Sequence, residues 1–547
     1  MLPDATLEEI AAIVGLPVDA PPKKPIATLA GVTQGDPDAA LFRYACRLRG
    51  RGLERAEVEA LVLQSAACVP PFPVAAALRK VDAAFQYLSA HPLNDLGNAR
   101  RFVDFERANV RYVPEFKAWL TLDAKNFWRR DTDGEIVRRA KDVIDTIKGE
   151  AKNAADQQKG ELAQELLKHA SRSGGAQRIA AMIELARTEP GIPLTSSALD
   201  QDPMLFGVAN GVLDLRTGKL RPARAEDYIT QRSPVVFDPA ATCPTWEMFL
   251  QRVMGDDPEL FSYIKRAVGY SLTGDTREHV FFFAHGSGAN GKSTFTDIVQ
   301  RFVGDYGRQI QSETLMVQKG KSASNDIARL FGARAVIASE TEEGARLAEV
   351  MIKQATGGDT LTARYLYCEF FEFRPQFKLW IVGNHKPAIR GTDLGIWRRV
   401  HLIPFTVTIP PEQRDKALSE KLRTELPGIL NWALEGCLEW QRDGLNPPAT
   451  VTAATDEYRR EMDVIGAWID ERCEVNRAAR TSVRDLYRDY RAWAEDNGEH
   501  VFTGNAFGRK LGERFRKEKI GVHVWVFGLA VRPALRLTAV GGGKQDD

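Results

Sequence analysis

At 547 residues the chain is too long for one ordinary domain, and three or four are expected. Hydrophobic residues make up 44% and charged residues 27%, the balance of a soluble globular protein. Lysine plus arginine (74) nearly cancels aspartate plus glutamate (73), which excludes a uniformly basic chain, so any nucleic-acid surface must be local.

Cys46, Cys68, Cys243, Cys368, Cys437 and Cys473 are far apart and form no C-x-x-C pair, which argues against a zinc ribbon or a disulfide framework. The eight histidines are similarly dispersed, and no structural metal site is expected. Met1-Leu2-Pro3-Asp4 opens no basic-then-apolar run, and no apolar stretch approaches about 18 residues. The expectation is an intracellular, soluble protein with no membrane span.

In chain order, residues 1–35 are rich in Ala and Pro, and Pro21-Pro22-Lys23-Lys24-Pro25 reads as a linker. Over 36–92 apolar residues recur at helical spacing (Leu41, Phe42, Ala45, Leu48, then Val58, Leu61, Val62), interrupted at Pro70-Pro71-Phe72-Pro73. That pattern predicts a small helical module. Region 93–200 mixes short strand-like runs with aromatic residues, then becomes a long charged helical stretch from about Gly134 to Glu189. Asn210-Gly211, between two apolar runs, is a hairpin signal, and Thr217-Gly218 supplies a second turn. Asp257-Pro258-Glu259 reads as the cap, first-turn proline and early acid of a helix reaching about Leu272. Those features fall in the segment 201–275, which the family resemblance described below implies to be a separate domain. Within 276–460 strands and helices alternate to about Phe405, the pattern of an α/β domain with a largely parallel sheet, before helices resume at Glu412. The remainder, 461–547, reads as helix, helix, strand and a tail.

Gly286-Ser287-Gly288-Ala289-Asn290-Gly291-Lys292-Ser293 satisfies G-x-x-x-x-G-K-[ST], after the apolar strand Val280–Ala284 and before a helix opening at Thr294. Glycines let successive N–H groups point at phosphate oxygens, reinforced by the helix N-terminus. Lys292 would neutralise the β and γ phosphates of ATP, and the Ser293 hydroxyl would ligate Mg²⁺. A second strand, Arg334–Ser339, ends in Glu340-Thr341-Glu342-Glu343, where a carboxylate can hold the Mg²⁺ shell or polarise the attacking water. Glu340 is the first choice and Glu342 the second. A third strand, Phe377–Val382, runs into Gly383-Asn384, whose amide can bond the γ-phosphate and the lytic water. Beyond it, Arg398 and Arg399 precede the strand His401–Phe405, and either could reach a neighbouring subunit's nucleotide as an arginine finger.

Those elements, in that order, resemble a superfamily III helicase, more narrowly the helicase part of phage, plasmid and satellite primases and of the poxvirus-type primase-helicase. The resemblance is carried by Gly288–Phe295, Ala338-Ser339-Glu340-Thr341, Ile352–Asp359, Val382–Pro387 and Trp397-Arg398-Arg399, and extends over about Asp200 to Tyr458. It implies an α/β P-loop core of AAA+-like type, with helical N-terminal modules and a C-terminal winged-helix-like domain. It further implies a ring, usually a homo-hexamer, driven by ATP and Mg²⁺ along single-stranded DNA in the 3′ to 5′ direction. Single-stranded and forked DNA are the expected partners, with a separate primase or polymerase, in a bacterial host cytoplasm. By resemblance Lys292 and Ser293 bind nucleotide, Glu340 serves metal and water, Asn384 is the sensor, and Arg398 or Arg399 the finger. The alternative reading is a P-loop ATPase that loads or clamps onto DNA without processive unwinding, and a further one a DNA-anchoring scaffold.

Two departures from the family pattern stand out. Relatives carry a β-hairpin before the sensor strand, often tipped by a DNA-gripping lysine. Here its strands would be Thr360–Tyr367 and Phe371–Phe377 and its tip Cys368-Glu369, with Arg364, Arg374 and Lys378 the nearest cations. No clustered-carboxylate polymerase domain is visible either, so priming by this chain is not expected. In the tail, Ser482–Asp485 opens a helix with a capping-box-like pattern. A second helix from Thr503 to about Glu518 carries Arg509, Lys510 and Arg514, and Val522–Phe527 would be a wing, the order of a winged helix whose basic helix can enter the major groove.

Overall fold

The computed structural model describes residues 37–66, 72–317, 324–339, 344–390 and 394–532. Helices α1 (Pro37–Gly50), α2 (Arg55–Ala66) and α3 (Val74–Gln86) bury Leu41, Leu48, Val62 and Val81 against one another, as their spacing predicts. Helix α4 (Asp95–Glu106) leads into an antiparallel meander of β1 (Val110–Val113), β2 (Ala118–Leu122) and β3 (Trp128–Arg130). The long helical stretch expected next is three helices, α5 (Glu135–Asp156), α6 (Gly160–Ser173) and α7 (Ala176–Ala186). Breaks at Gln158, which is left-handed with φ 62°, and at Gly174-Gly175 let the helices fold back and bury Ile147, Leu166 and Met182 together.

The Asn210-Gly211 signal is a hairpin turn between β4 (Leu205–Val208) and β5 (Gly211–Asp214), followed by β6 (Lys219–Arg221). Helix α8 (Pro244–Val253) precedes α9 (Pro258–Leu272), where the Asp257 carboxylate accepts from the Glu259 and Leu260 amides as a cap should.

The central sheet is built from β7 (Phe281–His285), α10 (Lys292–Val303), β8 (Gly307–Gln311), α11 (Ser324–Ala328), β9 (Ala335–Ser339), α12 (Glu349–Gly357), the short antiparallel pair β10 (Leu361–Ala363) and β11 (Phe371–Phe373), β12 (Lys378–Gly383), α13 (Leu394–Trp397) and β13 (Val400–Pro404). Its order is β13-β7-β12-β9-β8, with every neighbouring pair parallel. Both faces are buried, which is why these strands read as continuous apolar runs. Phe282, Ile337, Trp380 and Ile403 pack on one face with Phe295 of α10, and Phe283, Val336, Ile381 and Leu402 on the other.

Helices α14 (Leu418–Thr424), α15 (Leu426–Asp443) and α16 (Ala449–Glu461) follow. The boundary expected at residue 275 is not a boundary of packing: one apolar core runs from Met204 through Tyr263 and Phe282 to Trp432 and Val451. Helices α9 and α15 approach so closely that a Cβ on Gly269 would lie 2.1 Å from the Cys437 amide nitrogen.

The C-terminal unit holds α17 (Val464–Arg472), β14 (Cys473–Ser482), α18 (Val483–Asp496), α19 (Gly504–Gly512), β15 (Lys517–Ile520) and β16 (His523–Val531), with sheet order β14-β16-β15. The helix expected to reach Glu518 stops at Gly512, because Lys517 and Glu518 are taken into the sheet opposite Val526 and Trp525. Among the described residues no helix is long and apolar enough to cross a membrane.

One internal histidine makes stability pH-dependent. His401 on β13 shares a 2.6 Å hydrogen bond between Nδ1 and the Tyr263 hydroxyl of α9, and burial lowers its pKa to about 4. A folded-state pKa below the unfolded value of about 6.5 means that the unfolded chain binds the proton first. The contribution is therefore complete above about pH 6.5 and is lost as pH falls toward 4. We expect wild type minus His401→Gln to show a stability slope of at most about 1.4 kcal/mol per pH unit in that window. Urea midpoints of the two proteins from pH 4 to 7 check it, and parallel curves would refute it.

Candidate functional site

Three adjacent strands of the parallel sheet end at one level. Gly383 of β12 pairs with His285 of β7, and Val382 with Ser339 of β9, so the segments after all three strands share one edge. Carboxyl ends of parallel strands are where open α/β sheets bind ligands.

The loop from Gly286 to Gly291 joins β7 to α10, and its glycines have different physical reasons. A Cβ on Gly286 would sit 2.1 Å from the Phe405 carbonyl oxygen, and Gly291 is left-handed at φ 86° with Val253 2.7 Å from a Cβ there. A Cβ on Gly288 would meet nothing within 4 Å, so no protein contact requires that glycine. Ala289 also adopts a left-handed backbone, φ 61°, and its carbonyl accepts from the Ile409 amide at 2.9 Å. Buried Asn290 fastens the loop: its Nδ2 donates to Ser287 O at 2.6 Å and Phe405 O at 3.0 Å.

Lys292, the first residue of α10, is 5% exposed, and its Nζ donates to Gly286 O (2.7 Å), Asn290 Oδ1 (3.0 Å) and Asn384 Oδ1 (3.1 Å). Burial pushes its pKa below the ordinary lysine value. The structure thus brings together two residues 92 positions apart, each singled out separately in the sequence. They line a cleft of about 500 Å³ with Ser293, Thr296, Asp297 and Ser339. Ser293 is exposed there and Thr294 half-buried. Asp297 on α10 escaped the motif reading, since an isolated acid on a helix carries no local signal. Glu340 and Glu342 lie outside the described residues, Ser339 being the last described residue of their strand.

The paired arginines separate. Arg399 is 9% exposed, and its guanidinium donates to Thr356 Oγ1 at 3.1 Å and to the Gly395 carbonyl, whereas Arg398 is exposed. A guanidinium held inside its own subunit cannot serve a neighbour, so Arg399 is a structural residue. Lys378 is corrected in the same way. At 1% exposure it donates to the backbone carbonyls of Thr273, Asp275 and Gln376 and lies 4.6 Å from the Tyr270 ring centroid, so it does not contact DNA. Arg364 and Arg374 are exposed at the β10–β11 hairpin.

In the C-terminal unit Arg509 is exposed on α19. Lys510 instead donates to the Arg390 carbonyl at 3.0 Å, and Arg514 holds both Asp463 oxygens at 2.6 Å. Lys510 therefore joins this unit to the rest of the chain and Arg514 holds the Asp463 cap of the unit's own first helix, so the availability of both to a duplex is reduced.

Three family models match the chain: "D5 N terminal like" over residues 99–255, "Family of unknown function (DUF5906)" over 284–399, and "Poxvirus D5 protein-like" over 460–528. Among curated proteins the chain is similar to "Putative helicase L207/L206" of Acanthamoeba polyphaga mimivirus, 31% identical over 324 residues, covering 55% of this chain and 34% of that one. It is also similar to "Putative helicase 022R" of Frog virus 3 (26% identical, 56% of this chain, 40% of that one). "Putative primase C962R" of African swine fever virus is 23% identical, covering 55% of this chain and 34% of that one. The chain thus spans roughly a third to two fifths of the length of these relatives. Among solved structures, the apo C-terminal region of NrS-1 (305–718) aligns with 77% of this chain and 96% of that one, at 11% identity and a TM-score of 0.41.

Proposed function

We propose that this chain, which belongs to the poxvirus D5-like primase-helicase family, is the ATP-driven DNA motor of a viral or mobile-element replication system. In this reading its sheet is an AAA+-like P-loop core working as a ring on single-stranded DNA.

The observation that carries the reading is the Lys292–Asn384 hydrogen bond in the cleft at the strand ends. The ammonium donates to Asn384, Asn290 and a loop carbonyl. A β/γ phosphate would draw that ammonium to itself, release the Asn384 amide toward the γ-phosphate and raise the depressed lysine pKa. Nucleotide state would then be read by Asn384 directly. The side-chain-free space at Gly288 supports close approach of the loop backbone to a phosphate chain. Ser293 at the cleft would hold Mg²⁺, which would supply charge neutralisation to the phosphates, and Glu340 is the proposed acid to serve the metal.

The test is unwinding of a forked DNA with a free 3′ tail, with ATP, by wild type and by Lys292→Ala. Strand separation by wild type alone is the expected result. DNA-stimulated hydrolysis without separation would replace the helicase with the loader or clamp, and hydrolysis indifferent to DNA would overturn the motor itself.

A further inference from the structure

The hairpin before β12 departs from a charge-gripping device. Strands β10 and β11 pair over only three residues each, Leu361–Ala363 with Phe371–Phe373, and residues 364–370 connect them. In that connection Leu366 is 69% exposed, Tyr367 89% and Phe370 59%. Scattered surface apolar residues are ordinary, but three large ones within five positions at a loop tip leave apolar area in water that the fold does not use.

The loop is nevertheless built rigidly from below. Phe116, in the turn between β1 and β2, packs edge-on against Tyr365 (5.5 Å between centroids) and Phe371 (5.2 Å), while Tyr365 stacks on Phe371. The Arg130 guanidinium lies 5.1 Å from the Tyr365 centroid. Lys117 Nζ donates to the Tyr367 carbonyl at 3.3 Å, and the Cys368 thiol to the Phe116 carbonyl at 3.7 Å. Tyr367 itself is held left-handed at φ 62°, a conformation that costs energy for a non-glycine residue. So the N-terminal meander grips the loop's backbone and turns an aromatic ring outward in a strained pose.

The hairpin's exposed cations Arg364 and Arg374, with Lys117 and Arg130 that touch its loop, outnumber its exposed carboxylates Glu369 and Glu372. The Arg364 guanidinium carbon lies 4.8 Å from the Phe370 ring centroid, a cation–π contact. An exposed flat ring on a loop that also carries an arginine–aromatic contact and more cations than carboxylates matches the chemistry of an unpaired base on its phosphate backbone.

Resting on the motor reading, we propose that the 364–370 loop is a stacking platform for bases of single-stranded DNA. Tyr367 is the platform, and Lys117 is the positioning residue that sets its backbone. The grip is thus on bases as well as phosphates, and the meander around Phe116 is part of the DNA-holding apparatus rather than an appendage to it.

The experiment compares binding of the full chain to an oligo-dT strand and to an abasic strand with the same number of phosphates, by fluorescence anisotropy. Wild type should prefer the strand with bases by roughly 5- to 150-fold for each base stacked. Tyr367→Ala should collapse that ratio and Tyr367→Phe preserve it, whereas Arg374→Ala should weaken both strands alike. Lys117→Met should lower the ratio, and Lys117→Arg restore it, which a purely phosphate-binding lysine would not do. An unchanged ratio in Tyr367→Ala overturns the platform. If wild-type hydrolysis is DNA-stimulated but the ratio is near one, only the stacking idea falls. If wild type binds neither strand and hydrolysis ignores DNA, the motor reading falls with it.

Discussion

Replacing Lys292 with alanine is expected to lower kcat for ATP hydrolysis by roughly 10² to 10³-fold, with the loop still folded although Gly286 O and Asn290 Oδ1 lose a donor. The loop keeps its own contacts. Asn290 still donates to Ser287 and Phe405, Gly286 still lies against the Phe405 carbonyl, and Ile409 still donates to Ala289. None of those contacts passes through the ammonium, so the loop stays folded and the loss falls on charge stabilisation at the transferring phosphoryl group. Asn384→Leu should reproduce most of the kcat loss while moving KM little, because an amide that acts once the lysine has moved contributes mainly to the transition state. Steady-state hydrolysis with both variants checks this. A Lys292→Ala enzyme within tenfold of wild type would show that the cleft is not the hydrolytic site.

The second large effect separates two neighbouring arginines. Arg398→Ala is expected to reduce hydrolysis by about 10³-fold or more, as loss of an arginine finger does, with stability within about 0.5 kcal/mol of wild type. Arg399→Ala should do the reverse. It removes the guanidinium that holds Thr356 Oγ1 and the Gly395 carbonyl, and stranding such buried partners costs about 1–3 kcal/mol. Urea unfolding and hydrolysis assays distinguish the pair. If Arg398 acts in trans, the alanine variant should also poison wild type when mixed, and wild-type hydrolysis should rise steeply with protein concentration. Linear concentration dependence and simple dilution by the variant would refute a ring with shared sites.

Much of the architecture was legible because its signals are local. The Asn210-Gly211 turn, the Asp257 cap and the apolar runs of β7, β9, β12 and β13 each report on a few consecutive residues, and each lies where it is expected. The failures also have local causes. Strand β14 is exposed along most of its length and slips register between Val475 and Arg480, so it shows no alternation to detect. The stretch after Gly134 keeps a helical composition through breaks that only a left-handed Gln158 and a glycine pair reveal. The exposed aromatic residues at the hairpin tip carry no signal in the sequence, since a Tyr or Phe is more often core.

By itself the sequence determined the kind of chemistry open to this protein: a glycine-rich turn between strand and helix, followed by Lys292, and an amide and two arginines at later strand ends. Such features depend on backbone conformation over a few residues, and chain order preserves them. Only the tertiary structure decided which charged side chains are free to act. Lys378 is sequestered by carbonyls near Thr273, about a hundred residues away, Arg399 by Thr356, and Arg514 by Asp463, while Lys292 meets Asn384 across two adjacent strands. A cation's availability is set by the desolvation and hydrogen-bond partners it meets when distant segments pack, and these are absent from the linear spacing of residues.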